Sequence, residues 1–262
     1  MKKFRDELGL FVAEGDKCVE ELRKGFEPVS LYREGENATR TEIEQMSGLQ
    51  TPQGTIAVFR KPALPSAPSL EERAGGEVLL ALDGVQNPGN LGTIIRTCDW
   101  FGVHDIVCSR DTADCYNPKV VQATMGALVR VRVHYVENLA EELRKLRITN
   151  DELRIYGTLL DGKDLYETLD RTYGAQRQKT APTVLKEESP AVIVMGNEGN
   201  GISEEVRRVV THPIRIPSYP KDTETSESLN VSIATAIVLA EFRRVDNSYL
   251  GKASNDRLKP YG

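Results

Sequence analysis

Short apolar runs alternate with helix-like segments in the chain after residue 77. Uninterrupted apolar runs are typical of strands buried on both faces, whereas apolar residues spaced three and four apart indicate the buried face of a helix. The runs predict strands at residues 78–82, 105–108, 128–135, 153–160, 191–195 and 213–216. The helical spacing predicts helices at residues 91–101, 118–125, 139–146, 203–210 and 229–244. This alternation predicts an α/β domain built on a parallel sheet.

The start of the chain follows a different pattern. It predicts a small α+β domain with an apolar stretch at residues 10–13, helices at 16–24 and 41–46 and a strand at 55–59. The Pro- and Ser-rich stretch that follows ends in Gly75-Gly76 and predicts a linker. These boundaries give an N-terminal domain at residues 1–62, a linker at 63–76 and a second domain at 77–250. Within the second domain, the polar segment at residues 166–189 is predicted to be a surface insertion.

Composition and charge exclude several classes of protein. The 262 residues are 39% hydrophobic and 28% charged, which is ordinary for a globular protein. No apolar run approaches the roughly 18 residues that suggest a membrane span, and the N-terminus lacks a signal-peptide core, so we predict a cytoplasmic protein. The scattered cysteines and histidines predict buried reduced thiols and no metal site. The net charge of −5 argues against a protein that binds nucleic acid through charge alone.

Three predicted strand-to-helix loops carry candidate chemistry, because open parallel sheets bind ligands at the carboxyl ends of their strands. In the first loop, a tight turn through Pro88 and Gly89 precedes a helix, with Asn90 at the predicted N-cap. Arg96 lies off the apolar face of this helix. Gly92 lowers helix propensity by about 1 kcal/mol, which suggests that something approaches the backbone there. A surface arginine after an ordinary turn is an equally simple interpretation.

The second loop, at residues 192–203, has three glycines between Gly196 and Gly201, and they surround Glu198. Glycine allows sharp turns and exposes backbone amides. Such loops commonly bind phosphate at a helix N-terminus. Here Ser203 is the predicted cap of a helix whose first two residues are glutamates, and these would repel an anion. A neutral or cationic ligand, such as the adenosine and sulfonium of S-adenosylmethionine, fits better than a nucleoside triphosphate.

The third loop ends in Ser228-Leu229-Asn230 and leads into a long apolar helix. Ser228 is the predicted N-cap of that helix, because serine commonly accepts hydrogen bonds from first-turn amides. Asn230 falls in the first turn of the same helix. We therefore expect Asn230 to lie near the crevice that the other two loops form.

In order and internal spacing, the three loops resemble the three motifs of the SpoU/TrmH class of SPOUT methyltransferases. The matching residues are Asn90 to Arg96, Gly196 through Glu198 to Gly201, and Ser228-Leu229-Asn230. The stretch NPKVVQATMGALVRV also looks like the family pattern, and the resemblance covers residues 78–244. Members move a methyl group from S-adenosylmethionine to a ribose 2′-hydroxyl of RNA. The stretches FVAEGDKCVEEL and TPQGTIAVFRKP are similar to the substrate-binding domain of members that act on ribosomal RNA.

The resemblance implies a parallel-sheet SPOUT fold with a deep trefoil knot in its C-terminal part, and it implies a homodimer. The implied catalytic residues are Arg96, supported by Asn90, together with Glu198, Ser228 and Asn230. The implied cofactor-binding residues are Thr158, Leu159, Gly196, Asn197, Gly201, Ile216 and Leu229. One departure from the family is the segment at residues 218–227, because relatives have a short loop with Met and Gly there.

Two roles stay open for Arg96 under this resemblance: a base activated by an RNA phosphate, or a donor that positions the ribose and that phosphate. A guanidinium stays protonated, with a pKa above about 12, and a neighbouring anion raises this pKa further, so we favour positioning. Arg130, Arg132 and His134 alternate on one predicted strand, where they would either contact phosphate or simply face solvent.

The sequence thus predicts an S-adenosylmethionine-dependent RNA ribose 2′-O-methyltransferase with an RNA partner, no metal and no membrane segment. The separate N-terminal domain favours ribosomal RNA over transfer RNA. One alternative is an RNA-binding module of the same fold that has lost catalysis, which the long third loop would favour. Another is a nicotinamide or nucleotide enzyme, but the fingerprint loop that such enzymes need is absent after the first strand.

Overall fold

The computed structural model describes residues 2–62, 78–169, 190–220 and 228–250. The elements of the N-terminal unit are α1 (Lys2–Leu8), β1 (Leu10–Glu14), α2 (Asp16–Leu22), β2 (Pro28–Arg33), α3 (Arg40–Met46) and β3 (Thr55–Arg60). The strands form an antiparallel sheet in the order β1-β3-β2. The sequence pattern does not predict α1 or β2, because α1 is mostly polar and β2 is exposed or half-buried along its length.

The second unit is built on a six-stranded sheet. Its elements are β4 (Val78–Asp83), α4 (Pro88–Trp100), β5 (Asp105–Ser109), α5 (Pro118–Thr124), β6 (Arg132–Val136), α6 (Leu139–Thr149), β7 (Arg154–Asp164), α7 (residues 165–169), β8 (Ala191–Gly196), α8 (Glu204–Arg207), β9 (His212–Arg215) and α9 (Val231–Leu250). The strand order is β6-β5-β4-β8-β7-β9, and the described pairings are all parallel. Because the order reverses between β4 and β8, the loops after these strands lie at the switch point where such sheets bind ligands.

Both faces of this sheet are covered, which explains the uninterrupted apolar runs. β4 is buried along its whole length. On one face its Leu80 joins the core that contains Ile94 of α4. On the other face its Leu79 joins a second core, which contains Leu143 of α6. The predicted α/β class with a parallel sheet is therefore confirmed.

The predicted strand at residues 128–135 is wrong in its first half. Ala127–Val129 forms a turn of 3-10 helix, and β6 begins only at Arg132. Met125 and Gly126 have φ values of 51° and 90°, so the chain turns before a strand can begin. Residues 127–129 look like a strand in the sequence because they are apolar. Leu128 is indeed buried, but as part of a turn. The predicted helix at 203–210 is also shorter, since α8 ends at Arg207.

The N-terminal unit and the second unit share one apolar core. The ring centroids of Phe11 and Tyr116 lie 4.9 Å apart, and the Cys18 thiol donates to the carbonyl of Val121 at 3.7 Å. All four cysteines are buried and free, as predicted. Burial raises the pKa of Cys18 to about 11, so this thiol stays protonated and unreactive near neutral pH.

Several predicted segments lie outside the described residues. They are the linker at residues 63–76, most of the insertion at 166–189 and the centre of the third loop at 221–227. Residues 165–169 are helical, so the start of the predicted insertion is ordered as α7. Among the residues that the structure describes, no helix is long and apolar enough to cross a membrane.

Candidate active site

The first loop begins α4 with Asn87 as its N-cap. Asn87 Oδ1 accepts hydrogen bonds from the backbone N–H groups of Gly89 at 2.8 Å and Asn90 at 3.2 Å. The predicted cap, Asn90, is therefore wrong, because this residue already lies in the first turn of the helix. Pro88 occupies the first helical position, where its missing N–H costs nothing, and this is the sequence signal that identifies Asn87.

Gly92 is explained by helix packing rather than by a ligand. A Cβ on Gly92 would lie 2.8 Å from the carbonyl oxygen of Val120 and would collide with the side chain of Ala123. Only glycine therefore lets α5 pack against α4 at this depth. The close contact fixes the direction of α4 and of the side chains on its outer face.

Arg96 is exposed on that outer face, one turn before Trp100. Within the described residues its guanidinium has no hydrogen-bond or ion-pair partner. A guanidinium keeps its charge and presents five N–H donors in a planar fork that matches a phosphate. Arg96 is thus available to an anionic ligand.

Asn197 shapes the second loop. Its backbone N–H and carbonyl exchange hydrogen bonds with Gly201, both at 2.9 Å. Its side-chain Oδ1 accepts from the N–H groups of Gly199 at 2.8 Å and Asn200 at 3.1 Å. Its Nδ2 donates to the carbonyl of Gly84 at 2.7 Å, which ties the second loop to the first across the switch point. The side chain of Asn197 therefore holds the second loop in shape, whereas the family resemblance implies only a contact with the cofactor.

The helix after the second loop is anchored by Asp83 rather than by a serine cap. Ser203 occupies the N-cap position of α8, but its side chain makes no capping hydrogen bond. Its backbone N–H instead donates to Asp83 Oδ2 at 2.7 Å. Asp83 is the last residue of β4 and is only 8% exposed, so this bond joins the end of β4 to the start of α8.

The third loop ends with Asn230 as the N-cap of α9. Asn230 Oδ1 accepts from the backbone N–H groups of Ser232 at 3.0 Å and Ile233 at 3.4 Å, and from Ser232 Oγ at 2.6 Å. The predicted cap, Ser228, is therefore wrong. Ser228 is exposed and has no hydrogen-bond partner in the described parts of the chain.

Three of the predicted catalytic residues form a hydrogen-bonded chain, which we call the amide relay. Asn230 Nδ2 donates to Asn90 Oδ1 at 3.0 Å, and Asn90 Nδ2 donates to Glu198 Oε1 at 2.6 Å. The orientation of each amide follows from α9, because the capping bonds occupy Asn230 Oδ1 and leave Nδ2 to face Asn90. The relay thus joins all three loops and fixes one oxygen of Glu198.

The predicted cofactor-binding residues lie on or just after β8, β7 and β9, which are adjacent in the sheet, and in the second and third loops. Thr158 is the last residue of β7 before its pairing with β9 shifts in register. Its hydroxyl donates to the carbonyl of Val194 at 3.2 Å. Gly196 ends β8, and a Cβ there would collide with the backbone of Gly201. Ile216 follows β9 and is half-buried.

Two further predicted cofactor residues differ in exposure. Leu159 is half-buried and packs against the core on the α6 face of the sheet. Leu229 is 50% exposed beside Asn230. A Cβ on Gly201 would meet no atom within 4 Å, so open space lies beside the backbone of this loop.

Arg130, Arg132 and His134 do not form a phosphate-binding row. His134 is buried, and its Nε2 lies 2.7 Å from Asp105 Oδ1. Arg132 donates to both oxygens of Asp105, at 2.8 and 2.6 Å. Arg130 precedes β6 and donates to both oxygens of Asp99, at 2.7 and 2.8 Å. Aspartates on neighbouring elements engage all three side chains. The alternating pattern in the sequence does not reveal these partners.

The match to a family model decides the family. Residues 77–240 match the model of the SpoU rRNA Methylase family. The chain belongs to this family. The predicted SpoU/TrmH relationship, the SPOUT-class architecture and the methyltransferase class are therefore confirmed, and the site described above occupies the region that the SpoU family shares.

Curated relatives and solved structures of the SpoU family agree with this assignment. The 23S rRNA (guanosine(2553)-2′-O)-methyltransferase RlmP of Bacillus subtilis is 29% identical over 260 residues, covering 92% of each chain. The 23S rRNA (guanosine-2′-O-)-methyltransferase RlmB of Neisseria meningitidis is 34% identical over 175 residues, covering 67% of this chain and 61% of its own.

Two solved structures are similar over nearly the whole chain. A putative RNA methyltransferase of the TrmH family from Porphyromonas gingivalis is 34% identical, with a TM-score of 0.75 and 93% of both chains covered. An rRNA methyltransferase from Sinorhizobium meliloti with AdoMet bound is 29% identical, with a TM-score of 0.73, covering 93% of this chain and 90% of that one.

Sequence reasoning missed Asp83, Asn87 and Ser232. None of the three is a candidate for touching a substrate, but each holds a backbone or side-chain group of the site. Pro88 points to Asn87, as noted above, and a serine two residues after an asparagine cap is a weaker signal for Ser232. Asp83 has no local signal, because its partner Ser203 is distant in the sequence.

Proposed function

We propose that this chain transfers the methyl group of S-adenosylmethionine to a ribose 2′-hydroxyl of ribosomal RNA. The observation that carries the proposal is the amide relay, which bonds one residue of each of the three loops to the next. The relatives support the substrate, because those from Bacillus subtilis and Neisseria meningitidis are named as 23S rRNA 2′-O-methyltransferases. The AdoMet-bound structure from Sinorhizobium meliloti supports the methyl donor.

The strand ends beside Gly201 fit S-adenosylmethionine. The space there is bordered by a glycine-rich loop, and at Gly201 no side chain blocks an approaching adenine. Thr158, Gly196 and Ile216 are the residues that would hold it, with Leu159 and Leu229 supplying apolar contact. When bound, this group supplies an electrophilic methyl on a sulfonium.

Arg96 and Glu198 divide the work on the ribose. A guanidinium offers only N–H donors and cannot remove a proton from a hydroxyl, so Arg96 binds the RNA phosphate and holds the 2′-oxygen in line. Asn90 holds one oxygen of Glu198, and the other carboxylate oxygen would take up the proton that the 2′-hydroxyl gives up when it is methylated. Asn230 keeps Asn90 in this orientation, and Ser228, which is exposed two residues before Asn230, would contact the RNA.

Titration calorimetry and methyl transfer test this function together. We expect the protein to bind S-adenosylmethionine and to transfer its labelled methyl to 2′-O positions of 23S rRNA prepared from cells that lack the gene. RNA binding without binding of the methyl donor would contradict the proposal and favour the catalytically inactive RNA-binding module. Transfer to tRNA but not to 23S rRNA would contradict the assigned substrate alone.

We also propose that residues 1–62 form the RNA substrate-binding domain, that residues 63–76 link it to the catalytic domain and that the latter spans residues 77–250. The α+β arrangement of the N-terminal unit supports a separate recognition role. The cytoplasm follows as the proposed location, because a ribosomal RNA substrate would be met there.

The homodimer is a further part of the proposal. α4 and α9 lie side by side and parallel, since Asn230 contacts Asn90 at one end and Arg243 Nε donates to the carbonyl of Phe101 at 2.7 Å at the other. The pair exposes two large apolar side chains, Trp100 at 85% and Ile233 at 54%. A second copy of the chain would cover such side chains.

Sedimentation tests the dimer with a matched pair of variants. We expect Trp100→Glu to sediment as a monomer, because a charge in an apolar interface is unfavourable. Ile148→Glu is the control, since Ile148 is 83% exposed at the end of α6, away from the proposed interface. A dimer that tolerates Trp100→Glu would exclude this face.

We also propose that the C-terminal part of the chain forms the deep trefoil knot, and the pairing of β7 with β9 supports this. Ile214 of β9 pairs with both Thr158 and Lys163 of β7. A Cβ on Gly162 would lie 2.8 Å from the backbone nitrogen of Ile214, so the chain between these two pairings passes very close to β9. This close approach supports the proposal, because a knot needs chain segments packed tightly against one another where one passes the other.

A further inference from the structure

The segment at residues 109–117, which follows β5, is bonded to the first loop of the active site. The backbone N–H of Ala113 donates to the carbonyl of Val85 at 2.9 Å. The hydroxyl of Ser109 accepts from the backbone N–H of Gly84 at 2.8 Å. These bonds join the segment to the residues that lead directly into the first turn of α4, so a shift of the segment would move that turn.

The same segment is bonded to the N-terminal unit through an ion pair. Arg5 Nη2 of α1 donates to Asp114 Oδ2 at 2.8 Å, and both side chains are only 14% exposed. Asp114 Oδ1 accepts the backbone N–H of Tyr116 at 2.9 Å, so both carboxylate oxygens are engaged. The ammonium of Lys61 lies 5.2 Å from the centroid of the Tyr116 ring. Two cations of the N-terminal unit therefore hold one short segment.

The ion pair differs in kind from the apolar contacts around it. Phe11 packs on Tyr116, and apolar contacts of this sort tolerate sliding and rotation. A largely buried ion pair adds little stability, because desolvation offsets much of the attraction, but its hydrogen bond is directional. The contact between Arg5 and Asp114 therefore selects one orientation of the two units.

We propose that Arg5 and Asp114 are positioning residues for methyl transfer. They set the N-terminal unit against the first loop, so that an RNA held by that unit presents its ribose to Arg96. The inference rests on the proposed function, in which the N-terminal unit binds RNA. Neither residue touches the reacting atoms, and both act through residues 109–117.

Kinetics with paired variants test this role. For Arg5→Met and Asp114→Asn, we expect kcat/KM on 23S rRNA from cells lacking the gene to fall by about tenfold to a hundredfold, as small misplacements of reacting groups cause. The Kd for S-adenosylmethionine should stay within about twofold, because the pair does not contact that side of the site. The exchanged variant, Arg5→Asp with Asp114→Arg, should be more active than either single variant.

Arg60→Met is the matched control. Arg60 pairs with Glu27 at 3.2 Å within the N-terminal unit, and both side chains are more than half exposed. We expect its kinetics to match those of the unmodified protein. Full activity of Arg5→Met would overturn the inference. Loss of S-adenosylmethionine binding in Arg5→Met would also overturn it, because the pair would then serve general stability.

Hydrogen exchange separates failure of this inference from failure of the proposed function. If the unmodified protein does not methylate 23S rRNA, the proposed function fails, and the structural role of the pair is still measurable. We expect faster amide exchange at residues 111–116 and 84–86 in Arg5→Met but not in Arg60→Met. Unchanged exchange at both places would contradict the inference.

Discussion

Arg96 on α4 and Arg132 on β6 differ sharply, although each stands out in the sequence as a candidate for contact with RNA. Arg96 is exposed and has no partner in the described parts of the chain. Arg132 donates twice to Asp105, which is completely buried. A cation that already holds a buried carboxylate would have to abandon it in order to bind phosphate. The comparison shows that availability, rather than residue type, distinguishes a binding arginine from a structural one.

Replacing Arg96 should give the largest effect on activity. We expect Arg96→Ala to lower kcat by about a hundredfold to a thousandfold, which is the usual cost of losing a charge-stabilising donor. S-adenosylmethionine binding and the melting temperature should stay unchanged, since the side chain is exposed and has no hydrogen-bond or ion-pair partner in the described residues. Arg144→Ala is the control, because Arg144 is likewise exposed and unpaired in the described residues, but lies on α6. Equal activity of the two variants would contradict the role of Arg96.

Replacing the partner of Arg132 should affect stability instead. We expect Asp105→Asn to lower the free energy of unfolding by about 3 kcal/mol, because Arg132 and His134 lose a buried charged acceptor. Chemical denaturation followed by circular dichroism measures this change. The fraction that remains folded should transfer methyl groups at nearly the normal rate. A stable Asp105→Asn protein with little activity would mean that this cluster contacts RNA after all.

Replacing Asn230 tests whether the site needs the amide relay as well as Arg96. Asn230→Asp keeps an oxygen that can cap α9 but replaces the donor that faces Asn90 with an acceptor. We expect kcat to fall by about tenfold, which corresponds to the loss of one hydrogen bond. The melting temperature should change little, and single-turnover kinetics measure the loss. Unaltered turnover would show that Asn90 is held without Asn230.

Replacing Arg130 or Arg132, which aspartates already engage, should give the smallest effect on RNA binding. We expect Arg130→Gln and Arg132→Gln each to change KM for 23S rRNA by less than about twofold, since a guanidinium already engaged by Asp99 or Asp105 adds no phosphate contact. Filter binding at several salt concentrations provides the measurement. A shallower salt dependence in either variant would place that arginine at the RNA after all.

Local patterns predicted most of the second unit, and in the N-terminal one they predicted α2, α3, β3 and the apolar stretch that forms β1, but neither α1 nor β2. Strands buried on both faces, such as β4 and β8, leave an uninterrupted apolar run, and α4 leaves a clear apolar stripe. β2 leaves neither, because it is at best half-buried along its length. Residues 127–129 misled the prediction, because their apolar side chains are buried by a turn and not by a strand.

The candidate site was predicted as a set of residues but not as an arrangement. The three loops placed Asn90, Arg96, Glu198 and Asn230 together by their order in the chain. The caps were misplaced by a few residues, to Asn90 and Ser228, because capping depends on which side chain faces the helix end.

By itself, the sequence determined the parallel sheet, the three loops at the carboxyl ends of its strands and the family to which the chain belongs. These follow from apolar spacing, glycine and proline positions, and short motifs, which all report geometry within a few residues. Only the tertiary structure decided that Asn230 reaches Asn90, that Arg5 holds Asp114 and that Arg132 is committed to Asp105. Such pairs join residues far apart in the chain, and strand order and helix packing bring them within hydrogen-bond distance.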